Sequence, residues 1–189
     1  MRRLVASLQM SLDGVIESPE VWAFPFSNDE MKAANTAGMA ASDALLLGRV
    51  TYQLLAGYWP DRPDEESIAR YINAVPKFVV SSVLATVEWR HSTLIKGNVI
   101  DEIAALKDQP GKNITIVGSA MLVRSVLRAG LLDQLNLMIP PLVVGHGKRL
   151  FEDGGDHHAL RLLDATTFST GVVSLTYEPA NARATAGQG

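Results

Sequence analysis

No cysteine occurs among the 189 residues. That excludes disulfides, thiolate metal sites and a cysteine nucleophile, and it fits a reducing, cytoplasmic setting. No apolar run approaches the roughly 18 residues that a membrane span needs. Gln9, Ser11 and Asp13 also cut the N-terminal apolar stretch too short for a secretion signal. Positive charge is in short supply: 17 Lys+Arg face 20 Asp+Glu, a net charge of -3, so no basic field exists to hold nucleic acid or an anionic membrane. Any anionic ligand must be held by a local site. Two nucleotide-binding signatures are missing as well. No G-x-G-x-x-G follows the first apolar run and no G-x-x-x-x-G-K-[ST] occurs, which argues against a classical Rossmann dehydrogenase or a P-loop enzyme. His157 and His158 beside Asp156 have no second ligand cluster, so no metal site is expected.

What is present is a hydrophobic content of 47% arranged as strand-like runs alternating with helical segments. One domain over 1–180 is expected. The last residues, 181–189, have nothing apolar to anchor them and read as a disordered tail. Strands are predicted at 2–10, 43–48, 77–83, 92–95 and 113–118. Helices are predicted at 28–42, opened by Asn28, at 63–75 with acids in its first turn, from Asn98 through Lys107, and at 119–130, closed by Gly130. A further helix starts at Thr51 and Tyr52. The chain then changes character: 135–144 and 168–178 read as two strands with no helix between them. The pattern predicts an α/β fold whose mainly parallel sheet has an antiparallel C-terminal edge. Pro140 and Pro141 lack amide donors and suit a bulge or a sheet edge.

Three strand ends carry the functional signal. The run LLLGRVTYQLL, 45–55, breaks at Gly48-Arg49 where strand passes to helix. Such a junction presents backbone N–H groups and a positive dipole end, and an arginine adds a clamp for phosphate. A salt bridge to a neighbouring acid is the plainer role for Arg49. The run NITIVGSAMLV, 113–123, repeats the design with Gly118, Ser119 and Ala120. Ser81 and Ser82 stand at a third strand end. A glycine after a strand is most often just a turn, so each is weak alone; three such ends that could converge outside one sheet edge point to a phosphate-rich nucleotide.

These residues carry a resemblance. LLLGRVTY, the Ser81-Ser82 pair, IVGSAMLV and GLLDQLNLMIPPLVVGHGKRLF resemble the dihydrofolate reductase-like family, and within it the reductase domain of the bifunctional riboflavin-pathway enzyme and its standalone bacterial relatives. The likeness spans 2–178. It implies NADPH-dependent hydride transfer to a C=N or C=O of a small heterocycle such as a ribosylaminopyrimidine, and a homodimer. It further implies that Gly48, Arg49, Thr51, Ser81 and Ser82 meet the adenosine phosphates and that Gly118, Ser119, Ala120, Met121 and Leu122 meet the pyrophosphate. Ala6, Ser11, Asp13, Gly14, Val15 and Ile16 would lie beside the nicotinamide. A pterin-type or other small-molecule reductase, or a non-catalytic nucleotide sensor, would use the same crevice. The chain departs from dihydrofolate reductases proper where they have two adjacent glycines, here Gly118-Ser119. It also departs where they place a carboxylate on the first helix; Asp29 and Glu30 are the approximate matches and the candidate catalytic acids, or simply favourable charges at a helix N-terminus.

The remaining candidates have two readings each. Gly145, His146, Gly147 and Lys148 could reach a substrate phosphate or form a surface turn. Trp22, Phe24 and Phe26 could wall a flat ring or pack in the core. Asp13-Gly14 fits a tight turn, with a catalytic role open to Asp13. Apolar 135–144 could pack across a two-fold axis or against the domain's own helices.

Overall fold

A computed structural model describes residues 1–63 and 65–180. The expected tail, 181–189, lies outside them. Strand β1 (Leu4–Gln9) leads through a short helix α1 (Pro19–Trp22) and a single 3-10 turn to α2 (Asp29–Ala40). Next come β2 (Ser42–Gly48), α3 (Arg49–Ala56), α4 (Ser67–Ala74), β3 (Lys77–Val80) and β4 (Ser92–Ile95). They are followed by α5 (Val99–Asp108), β5 (Asn113–Val117), α6 (Ala120–Arg128), β6 (Gln134–Ile139), β7 (Leu160–Thr167) and β8 (Val173–Pro179). All eight strands form one sheet in the order β4-β3-β2-β5-β1-β6-β8-β7. The first six strands are parallel, and β8 and β7 close the edge antiparallel, so the fold class matches the expectation.

The apolar run of β2 is explained by burial on both faces. Ala44 and Leu46 join the larger core, with Leu4, Ile114, Ile116 and the inward faces of α5 and α6. Leu45 and Leu47 face the other way, onto Val79, Tyr52, Ile72 and Trp89. Helix α6 shows its inward stripe as Leu122, Val123, Val126 and Leu127, all buried. Gly130 ends that helix at φ 69, the left-handed conformation a glycine tolerates best. Asn28 opens α2 as expected, its side chain accepting from the Met31 N–H at 2.9 Å.

At the amino ends of the strands the polar groups are buried and paired. Arg2 donates to the Lys112 carbonyl and the Asp43 carboxylate. Lys107 donates to the Leu131 carbonyl and to Asp133, both at 2.6 Å, and Asp133 also accepts from the Leu4 N–H. Lys77, with no exposed surface, donates to the Ile72 and Val75 carbonyls at 2.8 Å and lies over the Trp89 ring. These bonds join the starts of β1, β2, β5 and β6 to one another and tie the start of β3 to the turn that precedes it.

The structure corrects several sequence expectations. Helix α4 starts at Ser67, and no acid lies in its first turn. Strand β3 stops at Val80, because the Ser81 hydroxyl accepts from the Val83 and Leu84 N–H groups and turns the chain. Ser42 belongs to β2 rather than to the first helix. Asn98 precedes α5 in a left-handed conformation but makes no side-chain cap. Strand β6 ends at Ile139, just before Pro140 and Pro141 remove two donors. The segment between the last two expected strands contains a third, β7, whose residues are nearly all exposed. With one face unburied it lacked the alternation that marks a strand. Among the described residues no helix is long and apolar enough to cross a membrane.

Candidate active site

The carboxyl ends of β2 and β5 bring two helix starts together. Gly48 precedes α3 and Ser119 precedes α6, and neither helix has a side-chain cap, so the first N–H groups of both are left for an outside acceptor. The approach is close: a Cβ on Gly48 would overlap the Ser119 side chain, and one on Gly118 would sit 2.7 Å from Thr51 Oγ1. Gly118 and Ser119 both have positive φ, 64 and 59, so the backbone of a glycine pair is kept although only one glycine remains. The peptide bonds are trans throughout the described chain. Arg49 is exposed and reaches only Gln53, at 3.1 Å, among the described residues. Ser82 is exposed two residues beyond the Gly48–Val80 pairing, whereas the buried Ser81 hydroxyl is already occupied by its turn. Of the α6 residues, Ala120 stands at the helix start, Met121 is 72% exposed, and Leu122 turns its side chain into the core. Two uncapped helix starts and an arginine suit a phosphate-rich anion.

The carboxyl end of β1 is built differently. Ala6 is buried in mid-strand between Ile116 and Leu135. The following loop is stitched to the one after β6. The Leu12 N–H bonds to the Leu142 carbonyl, the Ile16 N–H to Lys148, and the Leu150 N–H to Gly14, while Val15 pairs with Arg149. Asp13 is the centre of that seam. Its carboxylate accepts from the Ser11 hydroxyl at 2.6 Å, from the Val144 N–H at 3.0 Å and from the Gly145 N–H at 2.9 Å. Those donors, the Ser11 hydroxyl foremost, hold its carboxyl far below the usual range. Arg149 closes the seam by donating to the Asp13 carbonyl and standing 3.6 Å from its carboxylate. Asp13 is therefore a fixed anion and a poor proton donor. The Val15 and Ile16 side chains are buried. Gly147 must be small, since a Cβ there would come within 2.9 Å of Val15.

The candidate acids open α2, which packs through Met31 against Met138, Phe168 and Val172. Asp29 is 98% exposed in its side chain and pairs with Lys32. Glu30 accepts from the Ser169 hydroxyl and N–H and from Asn28, bonds that lower its pKa, the Ser169 hydroxyl contributing most. Its carboxylate ties α2 to the β7–β8 turn. Trp22 is half-buried and donates to the Glu17 carbonyl at 2.9 Å, beside Lys148, whereas Phe26 packs with Met31, Phe168 and Val172. Gly145 donates to Asp13, and His146 is exposed. His157 and His158 are exposed, and Asp156 pairs with Arg128. Arg149 and Arg124 were not anticipated, because their partners lie far away in sequence and no periodicity announces a loop-to-loop seam.

The single mostly parallel sheet with an antiparallel edge and a crevice at the strand carboxyl ends defines a dihydrofolate reductase-like fold. A dihydrofolate reductase from Enterococcus faecalis complexed with NADP(H) and RAB-propyl shares it, with a TM-score of 0.61 at 17% identity over 95% of this chain and 97% of that one. The model of the RibD C-terminal domain matches residues 2–174, and the chain belongs to that family of NADPH-dependent reductases. The Bacillus subtilis (strain 168) protein YyaP, described only as uncharacterized, is 31% identical over 182 residues, 93% of this chain and 94% of that protein. A putative riboflavin biosynthesis protein from Shewanella sp. PV-4 superposes with a TM-score of 0.76 at 22% identity, covering 96% of this chain and all (100%) of that one.

Proposed function

We propose that the protein is an NADPH-dependent reductase that transfers a hydride to a C=N or C=O of a small heterocyclic substrate. The observation that carries this reading is the meeting of two uncapped helix starts with Arg49 at the ends of β2 and β5. There Gly48, Thr51, Gly118, Ser119 and Ala120 would bring backbone N–H groups to the cofactor phosphates, and Arg49 and Ser82 would hold the phosphate at the adenosine end. The nicotinamide, when bound, supplies the hydride. The seam around Asp13 fixes the loop 11–16: Ser11, expected beside the nicotinamide, is fully buried with its hydroxyl spent on Asp13 and the Val15 N–H, so it would act only by holding in place the partly exposed Gly14 and Asp13 backbone beside the reacting ring. With the Asp13 carboxylate committed to three donors, the proton that completes the reduction comes from solvent or from the substrate itself.

The test is a pair of titrations followed by turnover. NADPH should bind more tightly than NADH, and NADPH oxidation should accelerate with an acceptor from a panel of aminopyrimidines, pterins and flavins. Equal affinity for the two cofactors would count against the reading. Tight NADPH binding with silence across the whole panel would favour a nucleotide sensor.

We also propose a homodimer. Leu137 is spent in the chain's own core, so the surface that supports pairing is the sheet edge: Leu162 and Leu163 of β7 are exposed, and β8 is only half-buried along its length. Light scattering should give twice the chain mass.

A further inference from the structure

The mouth beside β1 carries three basic side chains, and each already faces a carboxylate. Lys148 Nζ stands 3.6 Å from Glu17, Arg149 stands 3.6 Å from Asp13, and Arg124 meets Glu152 at 2.6 Å. Arg124 is further occupied by the Arg149 and Leu150 carbonyls. Glu17 holds Lys148 twice, since it also accepts from the Lys148 backbone N–H at 3.2 Å. The three cations and three carboxylates cancel. On the two stitched loops Leu12 is 64% and Val143 66% exposed, His146 is exposed as well, and the half-buried Trp22 donates its indole N–H to the Glu17 carbonyl. The other end of the crevice is the reverse, with Arg49 facing no carboxylate among the described residues and two helix starts uncapped.

We infer that the substrate end of the crevice selects an uncharged, flat, conjugated acceptor and disfavours its phosphorylated counterpart, with Glu17 as a specificity-determining residue. An added phosphate at this mouth would meet the Glu17 and Asp13 carboxylates along with Lys148 and Arg149, and repulsion by those carboxylates would offset what it gains from the two cations, whose exposed pairs are themselves weak. A neutral ring loses nothing by lying against Leu12, Val143 and Trp22, and it removes apolar surface from water. Glu17 acts by neutralising Lys148. This inference rests on the reductase reading, because that reading assigns the β2/β5 end to the cofactor.

The experiment uses the full chain saturated with NADP+, whose own binding is measured first. Ligand pairs that share a ring and differ by one phosphate are then titrated: riboflavin and flavin mononucleotide, pyridoxal and its phosphate, an aminopyrimidine riboside and its phosphate. The neutral member should bind at least about tenfold more tightly in any pair that binds. Glu17→Gln, which keeps an acceptor for the Lys148 N–H but frees the ammonium, should close that gap by several-fold while leaving NADP+ affinity unchanged. Equal or tighter binding of the phosphorylated members in the wild type overturns the inference. So does failure of every neutral member to bind to a protein that holds NADP+. Loss of NADP+ binding itself would instead sink the reductase reading.

Discussion

The two ends of the parallel sheet treat polar groups in opposite ways. At the amino ends, Arg2, Lys77 and Lys107 are buried, and their donors are taken up by carbonyls or by Asp43 and Asp133. At the carboxyl ends, Arg49 is exposed and α3 and α6 start without side-chain caps. Burying a charge is tolerable only when every donor is satisfied, so the amino end can be changed only at the expense of the fold. Leaving helix starts open costs little in water and leaves donors for a ligand. On the proposed function, stability and ligand binding fall to opposite edges of one sheet, and substitutions can test whether that division holds.

The largest effect should come from the amino end. Asp133→Ala leaves Lys107 buried without its counter-ion and removes the acceptor of the Leu4 N–H. It should cost about 3–5 kcal/mol of stability. Denaturant titration checks the loss. Cofactor titration of the fraction that remains folded should give the wild-type affinity, and a weakened affinity would break the division between the two ends.

Lys77 supplies a pH signature of the same end. Burial, with Arg90 nearby as the smaller cause, pushes its pKa down from 10.5 to about 8. The unfolded chain therefore binds more protons than the folded one between about pH 8 and 10.5, and the contribution of this group to stability rises with pH across that window. The rise is bounded at about 3 kcal/mol. Lys77→Met should flatten it, as read from unfolding midpoints at successive pH values. An unchanged profile would show that burial does not lower the Lys77 pKa in the folded chain.

Arg49→Ala tests the carboxyl end. Losing a charge-assisted bond to phosphate should weaken NADPH by about 1.5–3 kcal/mol and erode its advantage over NADH. The unfolding midpoint should not move, since among the described residues the Arg49 side chain bonds only to Gln53. A large fall in stability would put this arginine in the structural set.

How far the sequence foretold this layout depends on how local the physics is. The strand-to-helix junctions at Gly48 and Gly118 were legible because turn, cap and periodicity lie within a few residues, and so was the succession of strands and helices that sets the fold class. Strand β7 was not, because exposure removes the alternation that announces a strand. The Asp13 seam was invisible for a different reason: Val144, Gly145 and Arg149 lie over 130 residues away and only the folded sheet brings them near. Glu30 could be suspected from its place on the first long helix, but its bond to Ser169 could not.

The smallest predicted effect tests whether Ser119 belongs to the fold or to the ligand. Its φ of 59 and ψ of 76 lie in the left-handed region, which costs a residue with a Cβ roughly 1–2 kcal/mol relative to glycine. Ser119→Gly relieves that strain but makes the unfolded chain more flexible, worth about 0.4–1 kcal/mol in the other direction. The net should be a stabilisation of about 0.5 kcal/mol, the difference between the two. The side chain lies against Gly48, where a Cβ has no room, so the hydroxyl is turned toward the neighbouring strand end. Only the backbone at this position is then left to meet a phosphate. NADPH affinity should accordingly survive the change to glycine, because the glycine keeps both the N–H and the left-handed turn. A tenfold loss of affinity with stability unchanged or raised would show that the hydroxyl itself holds the ligand, and would move Ser119 from the scaffold of the turn into the binding set.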